Sequence, residues 1–180
     1  AARRDMFLDA QGNVIEKTDD PIAYLHGGYH GIFPLVEQEL DGKSAGHSCK
    51  VRLTPEDSMD VQRALGSDIA MAFDDCTPWP ATEQQARDSM ERSMRWAARG
   101  HRHYYREDPA PPRGNLFGII QGGMHPHLRV ASLEALVAIG FPGYAIGGLA
   151  VGEPEEVRLG VIEAIEPHIP TDKPRYLMGV

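Results

Sequence analysis

Four short stretches of this chain gather residue types able to hold a small polar molecule. They are Asp74-Asp75-Cys76-Thr77-Pro78, Gln121-Gly122-Gly123, Gly147-Gly148-Leu149-Ala150-Val151-Gly152-Glu153, and Met178-Gly179. A carboxylate accepts two hydrogen bonds from adjacent N–H groups, and a side-chain amide donates and accepts in one plane. A Gly-Gly backbone lets main-chain N–H groups approach a ligand closely, and a methionine packs softly on a ring face. Together they suit a flat, polar heterocycle, held as enzymes hold a nucleobase taken out of its stack. Guanine, for one, offers N1–H and N2–H₂ to an acid and O6 and N7 to donors. Each stretch also has a plainer use. A strand-end Asp can cap the next helix, and glycine pairs punctuate loops. The set alone names no substrate.

These stretches need elements that bring them together. Each follows an apolar run: Ile69–Phe73, Leu116–Ile120, Gly143–Ile146 and the segment from Arg175 to Val180. Between the runs lie helical patterns. Thr82-Glu-Gln-Gln85 is a capping box opening a long helix, with Met90, Met94 and Ala97 on one face. Leu128–Ile139 and Glu155–Ile165 are the next helices, and Asp57–Leu65, stopped by Gly66, precedes the first run. Strands apolar on both faces, alternating with helices, predict a parallel sheet covered by helices. Without a dinucleotide glycine fingerprint the expectation is α/β, a partial (β/α)8 TIM-type barrel, about half of one. In such a barrel the chemistry sits at the C-terminal ends of the strands, where the four stretches fall. The final strand is expected to be buried, and the chain, which starts at Ala1, is expected to be a fragment.

Before residue 55 the character differs. Met6–Leu8 and Val14-Ile15 read as strands about a turn at Asp9–Gly12. Pro21–Leu25 is a short apolar segment, Gly31–Leu40 contains a short helix stopped by Gly42, and Ser48–Leu53 alternates as a half-exposed strand does.

The chain has 180 residues, 42% hydrophobic and 24% charged, with formal net charge -8. That balance argues against nucleic-acid binding through bulk charge, but not against a local grip on an RNA. No apolar run approaches the ~18–20 residues that span a bilayer. Two cysteines, Cys49 and Cys76, with no CxxC pair, support neither a disulfide framework nor a zinc site. A reducing, cytoplasmic setting is the expectation.

Longer motifs narrow this reading. Leu65-Gly-Ser-Asp-Ile-Ala-Met-Ala-Phe-Asp-Asp-Cys-Thr-Pro-Trp-Pro80 and Ser89-Met-Glu-Arg-Ser-Met-Arg-Trp96 resemble the tRNA-guanine (queuine) transglycosylases. So do Phe117-Gly-Ile-Ile-Gln-Gly122, Gly143-Tyr-Ala-Ile-Gly-Gly-Leu-Ala-Val-Gly-Glu153 and Lys173-Pro-Arg-Tyr-Leu-Met-Gly-Val180. The resemblance covers residues 58–180. It implies exchange of guanine in tRNA for a queuosine-precursor, 7-deazaguanine-type base, with tRNA and base as partners and a homodimer for the full-length family. It implies that Asp74 binds the N1/N2 edge of the base, that Gln121 hydrogen-bonds it, and that Gly148 and Leu149 offer it backbone groups. Glu153 would support that Gly-Leu segment, Met178 would pack on the ring, and Cys76 would line the pocket as a spectator.

The family reaction is a double displacement in which an Asp carboxylate attacks ribose C1′. The resemblance puts that Asp beyond Val180. It puts the acid/base Asp in an Asp-Ser-Gly-Gly-Tyr-Gln motif upstream of residue 53, where this chain has His26-Gly-Gly-Tyr29. No catalytic residue is therefore assigned, and the family's zinc site is expected outside this chain, which is expected to be inactive alone.

Residues 6–57 resemble instead an FKBP-type peptidyl-prolyl isomerase. The matching residues are Asp9-Ala-Gln-Gly-Asn-Val-Ile15, Pro21-Ile-Ala-Tyr-Leu-His-Gly27, Gly31-Ile-Phe-Pro-Leu-Val-Glu-Gln-Glu-Leu-Asp-Gly42 and Lys50-Val-Arg-Leu-Thr-Pro-Glu-Asp57. Tyr24, Ile32, Phe33 and Val36 would line part of a proline pocket. The expected organisation is a small β-rich FKBP-like segment over 1–57 and the partial barrel over 58–180. An isomerase or chaperone module, and a non-catalytic partner of an active transglycosylase, are the competing functions.

Other features have structural readings. Arg87, Arg92, Arg95, Arg99, Arg102 and Arg106 on the long helix are interspersed with acids, as on a solvated face. His125 and His127 read as a loop at a helix start in preference to a metal site. Tyr104-Tyr105 is expected to anchor the end of the long helix in the core.

Overall fold

The computed structural model describes residues 2–3, 6–8, 14–17, 22–23, 34–107, 109 and 111–179. The chain divides into two units, residues 1–52 and 53–180. In the first, β1 (Ala2–Arg3) pairs antiparallel with β4 (Ile22–Ala23), and β2 (Met6–Leu8) with β3 (Val14–Lys17). Helix α1 spans Pro34–Leu40, and Gly42 follows in the left-handed region (φ 66). His26–Tyr29, Tyr24, Ile32 and Phe33 lie outside the described residues. The strand expected over 48–53 does not form: its alternation is present, but no strand among the described residues pairs with it.

The second unit alternates helix and strand throughout. Helix α2 (Pro55–Leu65) starts at a capping box. The Thr54 hydroxyl accepts the Asp57 N–H (3.2 Å), and the Asp57 carboxylate accepts the Thr54 N–H (2.8 Å). Pro55 occupies a position that needs no N–H, and Gly66 (φ 66) ends the helix. Then come β5 (Ile69–Met71), α3 (Glu83–Tyr104), β6 (Asn115–Ile120), α4 (Pro126–Ile139), β7 (Gly143–Ile146), α5 (Glu155–Ile165) and β8 (Arg175–Leu177). Helix α3 opens on the expected box, with Thr82 capping Gln85 and Gln85 reaching back to Thr82.

The four strands are parallel and stand in the order β5-β6-β7-β8. Sequential order without reversal is what a (β/α)8 barrel requires, whereas a doubly wound sheet reverses at a switch point. This unit is thus a parallel half-barrel sheet, a partial TIM-type fold. Its core lies between the sheet and its helices, built on Met59, Leu116, Ile120, Leu133, Leu136, Phe141, Ile165 and Ile169, all nearly or wholly buried. Met90 and Ala97 are buried as the α3 periodicity predicts, with Met94 packed beside them.

Two expectations about burial need correction. Strand β8 is not buried: Tyr176 is 49% exposed and Arg175 is exposed, because β8 ends the four-stranded order. Of the Tyr104-Tyr105 pair only Tyr104 enters the core; Tyr105 is 38% exposed, and its hydroxyl accepts the Leu116 N–H at 3.0 Å.

Candidate functional site

Asp74 and Gln121 meet at the C-terminal ends of β5 and β6. The ladder carries past β5, since the Ala72 N–H donates to the Phe117 carbonyl at 2.9 Å. Two residues later the Asp74 carboxylate accepts a 2.7 Å hydrogen bond from Gln121 Nε2. Gln121 is completely buried, and its main-chain N–H donates to Ser132 Oγ on α4 (3.1 Å). Burial raises the Asp74 pKa above its ordinary value; the Gln121 bond opposes this and the Asp75 charge adds to it. Gln121 Oε1 is buried without a partner. A buried acceptor left unpaired in a folded protein calls for an explanation, and a role in holding a ligand is one.

Asp75 faces the other way, toward α3. Its N–H donates to Ser93 Oγ (2.9 Å), its carbonyl accepts from Ser89 Oγ (2.7 Å), and its carboxylate pairs with Arg92. Thr77 Oγ1 donates to Ser89 Oγ at 2.9 Å. Helix α3 therefore fixes the loop on one side and leaves Asp74 on the other.

After β7 the chain turns at Gly147-Gly148. Sequence reasoning missed the side chain that shapes this turn, Arg129 on α4, which is fully buried. Its guanidinium donates to the carbonyls of Gly123 (2.6 Å), Ile120 (3.4 Å), Gly147 (2.8 Å) and Gly148 (3.0 Å). Burial pushes its pKa down to about 10, which leaves it charged at neutral pH. Successive carbonyls of an extended strand point to opposite sides. Here two consecutive carbonyls reach one guanidinium, and Gly148 sits in the left-handed region (φ 62). A Cβ on Gly148 would lie 2.3 Å from Gln121 Oε1, so the backbone passes directly against the Gln121 amide. Both Gly148 and Leu149 are buried. Among the described residues, neither of their N–H groups has an acceptor.

Glu153 is 8% exposed and bonds the following segment: its two carboxylate oxygens accept from the N–H groups of Ala150 (2.6 Å) and Val151 (2.9 Å). Burial pushes its pKa up, but the backbone N–H groups outweigh this and hold it below the ordinary value. It thus holds the Leu149–Ala150 peptide and the next one through their N–H groups, at the C-terminal side of the Gly-Leu segment it was expected to support. Ala150 adopts φ 57, a conformation that L-residues rarely take. Met178 donates its N–H to the Ile146 carbonyl (3.2 Å), and its sulfur would stand 3.5 Å from a Cβ on Gly147. Cys76 is exposed as a residue, but partial desolvation of its thiol, with the charges of Asp74 and Asp75, pushes its pKa up, away from a reactive thiolate.

The features read as structural fall outside this cluster. His125 is the N-cap residue of α4 and His127 contacts Glu83 at 3.0 Å. Among the described residues no group of His, Cys, Asp and Glu is placed to hold a metal ion. On α3, Arg87 pairs with Glu83 and Arg99 with Glu56, and just past its end Arg106 pairs with Asp60. No described helix is long and apolar enough to cross a membrane.

A comparison of the sequence with known families matches residues 13–180 to the family described as queuine tRNA-ribosyltransferase. Curated relatives with that name agree. The protein of Thioalkalivibrio sulfidiphilus is 52% identical over 168 residues, 90% of this chain and 44% of the relative. That of Marinobacter nauticus is 54% identical over 166 residues, 89% of this chain and 43% of the relative. That of Xanthomonas campestris pv. campestris is 50% identical over 168 residues, 90% of this chain and 43% of the relative. The chain thus spans less than half the length of these relatives. Because the family match starts at residue 13, it runs through the segment expected to resemble an FKBP-type isomerase, and the comparisons give that resemblance no support.

Proposed function

This chain belongs to the queuine tRNA-ribosyltransferase family, and on that premise we propose that residues 53–180 read the guanine-type base exchanged in a tRNA. The observation that carries the reading is a set of polar groups converging at adjoining strand ends. The acceptors are the buried, unpaired Gln121 Oε1 and the half-buried Asp74 carboxylate, which takes one hydrogen bond from Gln121 and keeps lone pairs for others; the donors are the N–H groups of the buried Gly148 and Leu149. Guanine presents the complement: N1–H and N2–H₂ on one edge, O6 and N7 on the other. Adenine, with an acceptor at N1 and a donor at N6, mismatches both halves. A site that hydrogen-bonds its ligand in this way rejects analogues strongly, since each mismatch leaves a buried group unpaired. Met178 and Cys76 border the ring.

The displacement itself falls to residues other than these. The described carboxylates at the site are committed: Asp74 to Gln121, Asp75 to Arg92, and Glu153 to two backbone N–H groups. On this reading the chain alone binds base without exchanging it, and tRNA, dimer and zinc are what the family's full-length members imply. Equilibrium dialysis with labelled guanine tests the reading. Retention that excess adenine does not displace supports it, and equal competition by adenine refutes it. Incubation with cognate tRNA and labelled guanine gives no incorporation; ordinary turnover would refute the division of labour.

A further inference from the structure

Four backbone carbonyls converge on a buried cation at the heart of the sheet ends. Arg129 lies on the first turn of α4, a mostly apolar helix on which Glu134 is the other charged residue, and it has no carboxylate partner among the described ion pairs. A buried charge of this kind is costly unless its hydrogen bonds are satisfied. Here they are, by Ile120 at the end of β6, by Gly123 of the loop after it and by Gly147 and Gly148 of the loop after β7. One guanidinium thereby sets the spacing of two adjacent loops. A lysine could not replace it, because a single ammonium lacks the planar fork that spans such a set.

The consequence lies on the far side of the peptides. Trp79-Pro80 is the cis bond found among the described residues, so the Gly147–Gly148 and Gly148–Leu149 peptides are trans. In a trans peptide the N–H points opposite to the C=O. Drawing both carbonyls to Arg129 therefore aims the N–H groups of Gly148 and Leu149 away from it together. A cation bonded to a carbonyl also polarises that peptide and strengthens the N–H as a donor.

We infer that Arg129 is a positioning residue that turns and polarises the Gly148 and Leu149 N–H groups into a paired donor for the carbonyl-bearing edge of the base. It touches no base itself. The inference rests on the base-reading role proposed above for Gly148 and Leu149, but it makes a claim about the unliganded chain that can be tested apart from that role.

The experiment is amide-resolved NMR of the chain, wild type and Arg129→Met, without ligand and with guanine. Without ligand, Arg129→Met is expected to shift the Gly148 and Leu149 amide signals, while Ala150 and Val151, held by Glu153, stay near their wild-type positions. With guanine, the wild type shows changes at the Asp74 carboxyl and at both amides. The variant keeps the Asp74 response, loses that of the amides and binds about tenfold more weakly. A merely structural role would weaken the Asp74 and amide responses together. Unchanged Gly148 and Leu149 signals in the unliganded variant would overturn the inference whatever guanine does. Absence of any guanine response in the wild type would overturn the base-reading role instead. Should Arg129→Met not fold, Arg129→Lys, which keeps the charge, is expected to show the same amide changes; wild-type amide signals in it would equally overturn the inference.

Discussion

Gln121 Nε2 donates to the Asp74 carboxylate at 2.7 Å, joining the ends of two parallel strands by one side-chain hydrogen bond. The bond orients both groups. It fixes which end of the Gln121 amide faces the acid, and so leaves Oε1 as the buried atom without a partner. It also places a carboxylate where burial disfavours its charge.

That burial gives the first prediction. Asp74 has a folded-state pKa above its unfolded value, so the folded state holds the proton more tightly. The contribution to stability is most favourable below the ordinary carboxylate range of about 4 and falls as pH rises through the raised folded value. Asp74→Asn removes the charge and keeps the hydrogen bond. It should raise the melting temperature at pH 7 by about 2–4 °C, corresponding to roughly 1 kcal/mol. Melting curves over a pH series check this, and the advantage should vanish at low pH.

Gly148 is held in the left-handed region with Gln121 Oε1 2.3 Å from where a Cβ would stand. Gly148→Ala should cost about 1–3 kcal/mol from backbone strain, with displacement of the Gln121 amide in addition. A lowered midpoint in urea unfolding at unchanged slope is the expected readout.

Glu153 works in the opposite sense to Asp74. Its folded pKa is depressed, so its contribution is present above the unfolded carboxylate value and is lost as pH falls through the folded one. Glu153→Gln replaces an acceptor by a donor against one of two N–H groups, at a cost of about 1–3 kcal/mol. Hydrogen exchange should speed up at Ala150 and Val151 first.

Cys76 is accessible but has a raised pKa. Alkylation by iodoacetamide at pH 7 should be slower than for free cysteine, and should accelerate only at alkaline pH. Mass spectrometry of the labelled peptide distinguishes Cys76 from Cys49.

Much of the second unit was legible because its signals are local. Capping boxes at Thr54 and Thr82, the glycine stop at Gly66 and the apolar runs before Asp74 and Gln121 each act within a few residues. What was not legible depends on distant partners. Arg129 sits between Leu128 and Val130, where a charged residue reads as an exposed side chain. Its four carbonyl acceptors lie at a strand end and in two loops separated in sequence, and only the scarcity of other charge on α4 hinted at a buried role. The exposure of β8 is likewise a matter of which strand stands beside it, and apolar content says nothing of that. Ser48–Leu53 has the alternation of a strand without a ladder partner. In the first third, a local resemblance to another family pointed away from the family that the match over residues 13–180 supports.

The central claim is that the cluster around Asp74 and Gln121 recognises a guanine-type base through its hydrogen-bonding edges. Calorimetric titration of the chain with guanine, for the wild type and Asp74→Ala, tests it most directly. Loss of a charged acceptor for N1–H and N2–H₂ should weaken binding by about 10- to 100-fold. Guanine bound equally well by Asp74→Ala and the wild type would contradict the account.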